Sequence, residues 1–238
     1  MGQICGILGR NDAAVVRAMA NAMRHRGAPT HTREGEDFAV ASSQAPGEGP
    51  SLIDGLPRNH AGSVLLPEEL RQHCAGARRP DDLRLRGGFA AAIRLEERPA
   101  WWLLRDRLGR CPLYYYQGSG FLLFSSELKG LLASGLVPRR LDPLSIDRLL
   151  TLGCVPGSGS ILDGVCRVRP GHVLEYRNGR VHESSFGGFE LGEHSLPRAQ
   201  AADRLRGLLR QAVSRFETDA ILWASGIDCA AIAALRQH

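Results

Sequence analysis

The sequence predicts an α+β protein on three observations. Strand–turn–strand segments follow one another through the middle of the chain. Amphipathic helical stretches stand on either side of them. An apolar strand, a Gly-containing turn and an apolar helix close the chain. At ~150 residues per domain, 238 residues suit one large domain with at most a fragment of another. With 43% of them hydrophobic, a core can form without disulfide or metal staples.

Residues 12–26 place Val15, Val16, Met19 and Met23 on one helical face, with Asp12 as N-cap and Gly27 near the C-terminal cap position. From 36 to about 185 the chain reads mostly as strands. FAAAIRL and WWLLRD flank Glu96–Pro99, and LYYY and GFLLFSS flank Gly118–Gly120. HVLEYR and RVHESS flank Asn178-Gly179, a strong hairpin dipeptide. Successive hairpins argue for antiparallel sheets. Helical pieces interrupt them near 126–134 and 143–152. After a polar connection over 187–197, residues 199–216 carry an apolar stripe of Leu205, Leu208, Leu209, Ala212, Val213 and Phe216. The strand at 220–224 and the helix after it are the opening of a parallel α/β domain. One such unit cannot cover both faces of its strand. The expected division is therefore a complete domain over 1–190, and a linker helix with the first step of a second domain over 191–238.

Composition excludes several classes. No apolar run approaches the ~20 residues of a membrane span, and the start has no signal-peptide core, so the expectation is a cytoplasmic protein without membrane attachment. The net charge is +5, and Lys129 is the single lysine. The arginines are scattered, and 3 Trp, 4 Tyr and 7 Phe are too few to interleave a basic patch, which argues against nucleic acid. Cysteines 5, 74, 111, 154, 166 and 229 form no CxxC pair, so zinc-ribbon and dithiol redox motifs are absent.

The motifs take their meaning from their order. Cys5-Gly6-Ile7 precedes a helix ending in His25-Arg26-Gly27. Leu85-Arg86-Gly87-Gly88-Phe89-Ala90, Leu104-Arg105-Asp106-Arg107-Leu108-Gly109, Pro112-Leu113-Tyr114-Tyr115 and Ser125-Ser126-Glu127-Leu128-Lys129 follow. Pro156-Gly157, Arg169-Pro170-Gly171-His172 and Ser225-Gly226-Ile227-Asp228 complete the series. In this order they resemble the N-terminal part of the asparagine synthase family of glutamine-dependent amidotransferases. The resemblance implies an N-terminal-nucleophile (Ntn) fold, two antiparallel sheets sandwiched by helices in αββα order, acting as a class II glutaminase. It also implies that the terminal strand–loop–helix opens an ATP-binding pyrophosphate-loop domain, where ammonia from glutamine attacks an adenylated substrate.

Carried over residue by residue, the resemblance makes Cys5 the nucleophile on the amide of glutamine. Its base would be its own α-amino group, which is free only if Gly2–Ile4 is cut off. The alternative is a small buried residue in the first strand. The family's Asn-Gly-Glu-Ile-Tyr-Asn segment falls on Asp54-Gly55-Leu56-Pro57-Arg58-Asn59. Gly55 still offers a backbone N–H to an oxyanion. Asp54 puts a carboxylate where an amide donor belongs, and one lost donor costs ~3 kcal/mol of transition-state stabilisation. The strand residues Val40–Gln44 contain no arginine to clamp a substrate carboxylate. Pro67 falls where an aspartate would hold the substrate amine, and Glu68-Glu69 read as the start of a helix. Arg105-Asp106, Pro112 and Glu127–Lys129 suit packing and turn roles. In the pyrophosphate loop Ser225, Gly226 and Asp228 remain, with Asp228 as a magnesium ligand, while Ala224 and Cys229 stand where the family has serines.

The chain is thus expected to need no cofactor of its own, with ATP and magnesium implied for a domain that is missing here. Its partners would be glutamine, if active, and a protein carrying the ATP domain or a second copy of the chain. Two functions remain open. One is an impaired or truncated asparagine-synthase-type amidotransferase. The other is a non-catalytic glutaminase-like scaffold, similar to those of lasso-peptide cyclases and β-lactam synthetase.

Overall fold

The structure is a computed structural model, and it describes residues 2–28, 31–44, 49–77, 79–97, 99–188, 196–214 and 226–236. The chain divides into two compact units, Met1–Phe189 and Glu190–His238. In the first, β1 (Ile4–Leu8) leads into α1 (Ala13–Ala22), then β2 (His31–Gly35), β3 (Phe38–Ser42) and β4 (Leu52–Gly55). After α2 (Pro67–Gly76) come β5 (Phe89–Leu95), β6 (Ala100–Arg105), β7 (Tyr114–Gln117) and β8 (Leu122–Ser125). Then follow α3 (Leu128–Ala133), α4 (Pro143–Leu152), β9 (Val165–Arg167), β10 (His172–Arg177) and β11 (Arg180–Ser185). All recorded strand pairs are antiparallel. One sheet has the order β2-β3-β1-β8-β7-β9 and the other β11-β10-β6-β5-β4.

Period-2 alternation sorts the side chains into three apolar layers. Ile4 and Leu8 of β1 meet Leu52, Ala90, Ala92, Trp101, Leu103 and Leu174 between the sheets. Cys5 and Ile7, on the other face of β1, meet Val16, Met19 and Met23 of the helical layer outside the first sheet. Phe89, Ala91, Ile93, Trp102 and Leu104 face outward from the second sheet onto Leu70 and Cys74 of α2. The result is the expected sandwich, helix on sheet on sheet on helix.

Local signals explain most ends. Asp12 caps α1 by accepting from the Val15 N–H, and Asp142 caps α4 by accepting from the Ser145 N–H. Gly153 closes α4 in the left-handed conformation. Asn178 and Gly179 both take positive φ, as the two-residue β10–β11 turn requires. One helix departs from expectation. α1 ends at Ala22, not at Arg26, and Arg24–Arg26 tighten into a single 3-10 turn from which Arg26 reaches inward.

In the second unit α5 (Arg198–Ser214) and α6 (Ile227–Arg236) expose Leu205, Leu208, Ile227 and Ile232. The strand expected at 220–224 lies outside the described residues. Among the described residues no helix is long and apolar enough to cross a membrane.

Candidate functional site

The site is built at the sandwich end where β1 begins and β4 finishes. On β4, Leu52 faces the inter-sheet layer and Ile53 the outer one. The register Asp54↔Ala90 therefore turns the Asp54 side chain inward, between the sheets. It is 0% exposed. Such a carboxylate must be paired, and three donors converge on it. Arg26 Nη2 donates to Oδ2 at 2.8 Å, Ser126 Oγ to the same oxygen at 3.1 Å, and the Gly2 backbone N–H to Oδ1 at 2.9 Å.

The same donors tie down β1. Arg26 Nε donates to the Gly2 carbonyl at 2.7 Å, and Ser126 Oγ accepts from the Ile4 N–H at 3.1 Å. Outside this knot, Arg26 Nη1 lies 3.5 Å from Glu127, which also takes a 3.0 Å contact from His25 Nε2. Lys129 Nζ reaches His25 Nδ1 at 2.8 Å.

Burial pushes the Asp54 carboxyl above its ordinary value of 3.8, while Arg26, Ser126 and the Gly2 N–H pull it back. The folded chain then holds the Asp54 proton more tightly than the unfolded chain. Its contribution to stability grows as pH falls through the folded-state pKa towards 3.8 and is lost as pH rises through that range. The difference in unfolding free energy between wild type and Asp54→Asn should therefore shift in favour of wild type on acidification. Urea titrations at several pH values measure it. A shift towards the variant would mean that the Arg26 pair outweighs burial.

Gly55 completes the segment. Its φ is +104°, and a Cβ there would lie 2.3 Å from the Gly88 carbonyl oxygen, so only glycine fits. The same Cβ position is 3.2 Å from Cys111 Sγ, which places that thiol in the wall behind Gly55. Burial, with Asp54 and Asp106 nearby, raises the Cys111 thiol to about 11.

Of the residues singled out in the sequence, the structure brings Asp54 and Gly55 together and sets Cys5 apart. Cys5 faces the outer helical layer, paired in register with Ala41 and Ser125, and is 0% exposed. Burial raises its thiol to about 12, so it carries almost no thiolate at neutral pH. The residue that stands beside Asp54 is Gly2. Glu68 and Glu69 serve their own helix: Glu68 pairs with Arg71, and Glu69 accepts from the Leu66 N–H at 2.8 Å. In the second unit Asp228 lies in the first turn of α6 with Gly226 just before it, and Ser225 lies outside the described residues. Among the described residues no three His, Cys, Asp or Glu side chains gather as a metal site.

Sequence reasoning missed Arg26, Ser126 and Gly2. The one available signal was the His-Arg-Gly motif, read there as a helix end, although it puts an arginine just past a capped helix.

Two stacked antiparallel sheets between helical layers, with an Asp-Gly turn at the end of an edge strand, define the class. Residues 80–187 match the model of the glutamine amidotransferase domain. The chain is similar there to a glutamine amidotransferase domain, and more widely to the corresponding part of asparagine synthetase. It is 29% identical over 157 residues to asparagine synthetase [glutamine-hydrolyzing] 3 of Bacillus subtilis, covering 63% of this chain and 25% of that protein. It is 31% identical over 163 residues to amidase chry2 of Gibberella zeae, covering 65% and 24%. The chain thus spans about a quarter of the length of the curated relatives it matches. Glutamine phosphoribosylpyrophosphate amidotransferase of B. subtilis superposes with a TM-score of 0.49 and 12% identity, over 98% of this chain and 63% of that one.

Proposed function

We propose that this is an asparagine-synthetase-type amidotransferase chain whose glutaminase-like domain is impaired as a catalyst and acts as a scaffold. Asp54 carries the reading. An oxyanion pocket needs a donor there, and a carboxylate held by Arg26, Ser126 and Gly2 offers only filled acceptors and a like charge. The buried Cys5 faces the opposite layer, and its thiol is too basic to attack an amide. Glutamine is the substrate that the domain type implies, so its hydrolysis is the reaction to look for. Amide formation then belongs to an ATP-binding domain, with ATP and magnesium as its cofactors, met as a separate cytoplasmic partner or as further sequence. The exposed leucines of α5 and isoleucines of α6 suit that second layer.

The test is glutamate release from glutamine by the purified chain, alongside Cys5→Ala. The expected result is no release above background from either. Turnover by wild type that vanishes in Cys5→Ala would refute the scaffold reading.

A further inference from the structure

At the other end of the sandwich, a β5 length away from Gly55 (~20 Å for such a strand), both sheets leave a cavity of about 280 Å³. Gly9 and Asp37 line it from the first sheet, and Arg94, Trp101, Tyr176 and Arg177 from the second. None of these residues takes part in the Asp54 network.

Three observations give this cavity the chemistry of a binding site. The first is Trp101. It is 3% exposed and packs edge-on against Phe38 at 5.1 Å, yet its indole N–H has no acceptor among the described residues. The adjacent Trp102 shows the ordinary outcome, donating to Glu175 at 2.8 Å. The Trp101 N–H is not sealed from solvent: Trp101 lines the cavity, and its indole stays free to donate to an acceptor bound there.

The second is charge. Asp37 is the single acid lining the cavity, and it is engaged by Arg94 at 3.3 Å. Arg177 has no carboxylate partner among the described residues and sits directly across the hairpin from Arg180, an unfavourable like-charge pair. The lining therefore carries one uncompensated positive charge.

The third is room. A Cβ at Gly9, where φ is +89°, would lie 2.2 Å from Tyr176 Oη, which donates to the Gly120 carbonyl at 3.3 Å. A side chain at position 9 would displace the phenol that walls the cavity.

The geometry points to a binding site for a small aromatic or planar monocarboxylate. Its carboxylate accepts from the Trp101 indole and the Arg177 guanidinium, and its apolar body lies against the aromatic wall. The volume is just under the ~300–1,000 Å³ of drug-sized ligand pockets, which suits a single-ring acid. The Asp37–Arg94 pair at the rim disfavours a second negative charge.

Benzoate tests the inference, followed through the indole N–H resonances of the full chain. The Trp101 signal is assigned by its loss in Trp101→Phe. Benzoate should move that signal saturably, and Arg177→Ala should weaken binding roughly tenfold. Arg139→Ala, at an exposed arginine elsewhere, should not. If Arg177→Ala fails to fold, Arg177→Gln takes its place. An indole signal that stays still up to tens of millimolar benzoate would overturn the proposal. So would equal weakening by Arg177→Ala and Arg139→Ala, which would show general anion attraction. An equal shift with inorganic phosphate would overturn the carboxylate class.

Discussion

Arg26→Met is expected to lower the unfolding free energy by about 4 kcal/mol, the cost of leaving a buried charge without its partner. The Asp54 side chain is 0% exposed and that of Arg26 12% exposed, so water cannot replace the lost guanidinium. Removing Arg26 also frees the Gly2 carbonyl, which loosens the entry into β1. Pairing the change with Asp54→Leu should recover most of the loss, because no charge is then stranded. The double-mutant cycle isolates the coupling. Urea midpoints with an unchanged m-value measure both effects. A loss below about 1 kcal/mol for Arg26→Met would mean that the pair is solvated, and the pocket open.

Asp106→Ala is the second large effect. Asp106 is 0% exposed and gathers backbone N–H groups from Leu108 at 3.0 Å, Arg110 at 3.2 Å, Cys111 at 3.1 Å and Phe89 at 3.4 Å. Its neighbour Arg105 gives its guanidinium to the carbonyls of Cys111, Val168 and Gly109, at 3.0, 2.9 and 2.8 Å. Together they fold the 106–111 turn that sets Cys111 behind Gly55. Alanine strands several buried donors, each worth ~1.5–3 kcal/mol against a charged acceptor but not additive. A total of about 4 kcal/mol is expected, seen as a melting temperature lower by roughly 10 °C. Asp106→Asn keeps one acceptor oxygen and should lose about half as much.

Much of this fold was legible because its signals are local. Asn178-Gly179 specifies a hairpin by its own φ preferences, and Asp12 announces the start of α1 by capping chemistry. The weak points were non-local. β1 pairs with β3 nearby but also with β8, more than a hundred residues on, and no residue of β1 encodes that partner. β2, β4 and β9 are only three to five residues long, too short for alternation to declare them.

The candidate site divides in the same way. Asp54-Gly55 was found by its resemblance to a known segment. What those residues do was not, because it depends on Arg26, Gly2 and Ser126, which lie 28, 52 and 72 residues away. Cys5 drew notice as a nucleophile. Its function turns on strand register, and a one-residue step decides whether a side chain faces the inter-sheet end or the helices.

The most direct measurement is the intact mass of the native chain after exposure to a diazoketone analogue of glutamine. An end of the sandwich already filled by Arg26 and Gly2, with Cys5 sealed under α1, leaves the mass unchanged while the exposed Cys154 still reacts with iodoacetamide. A single adduct on Cys5 that glutamine suppresses would contradict it, and would make this a working glutaminase.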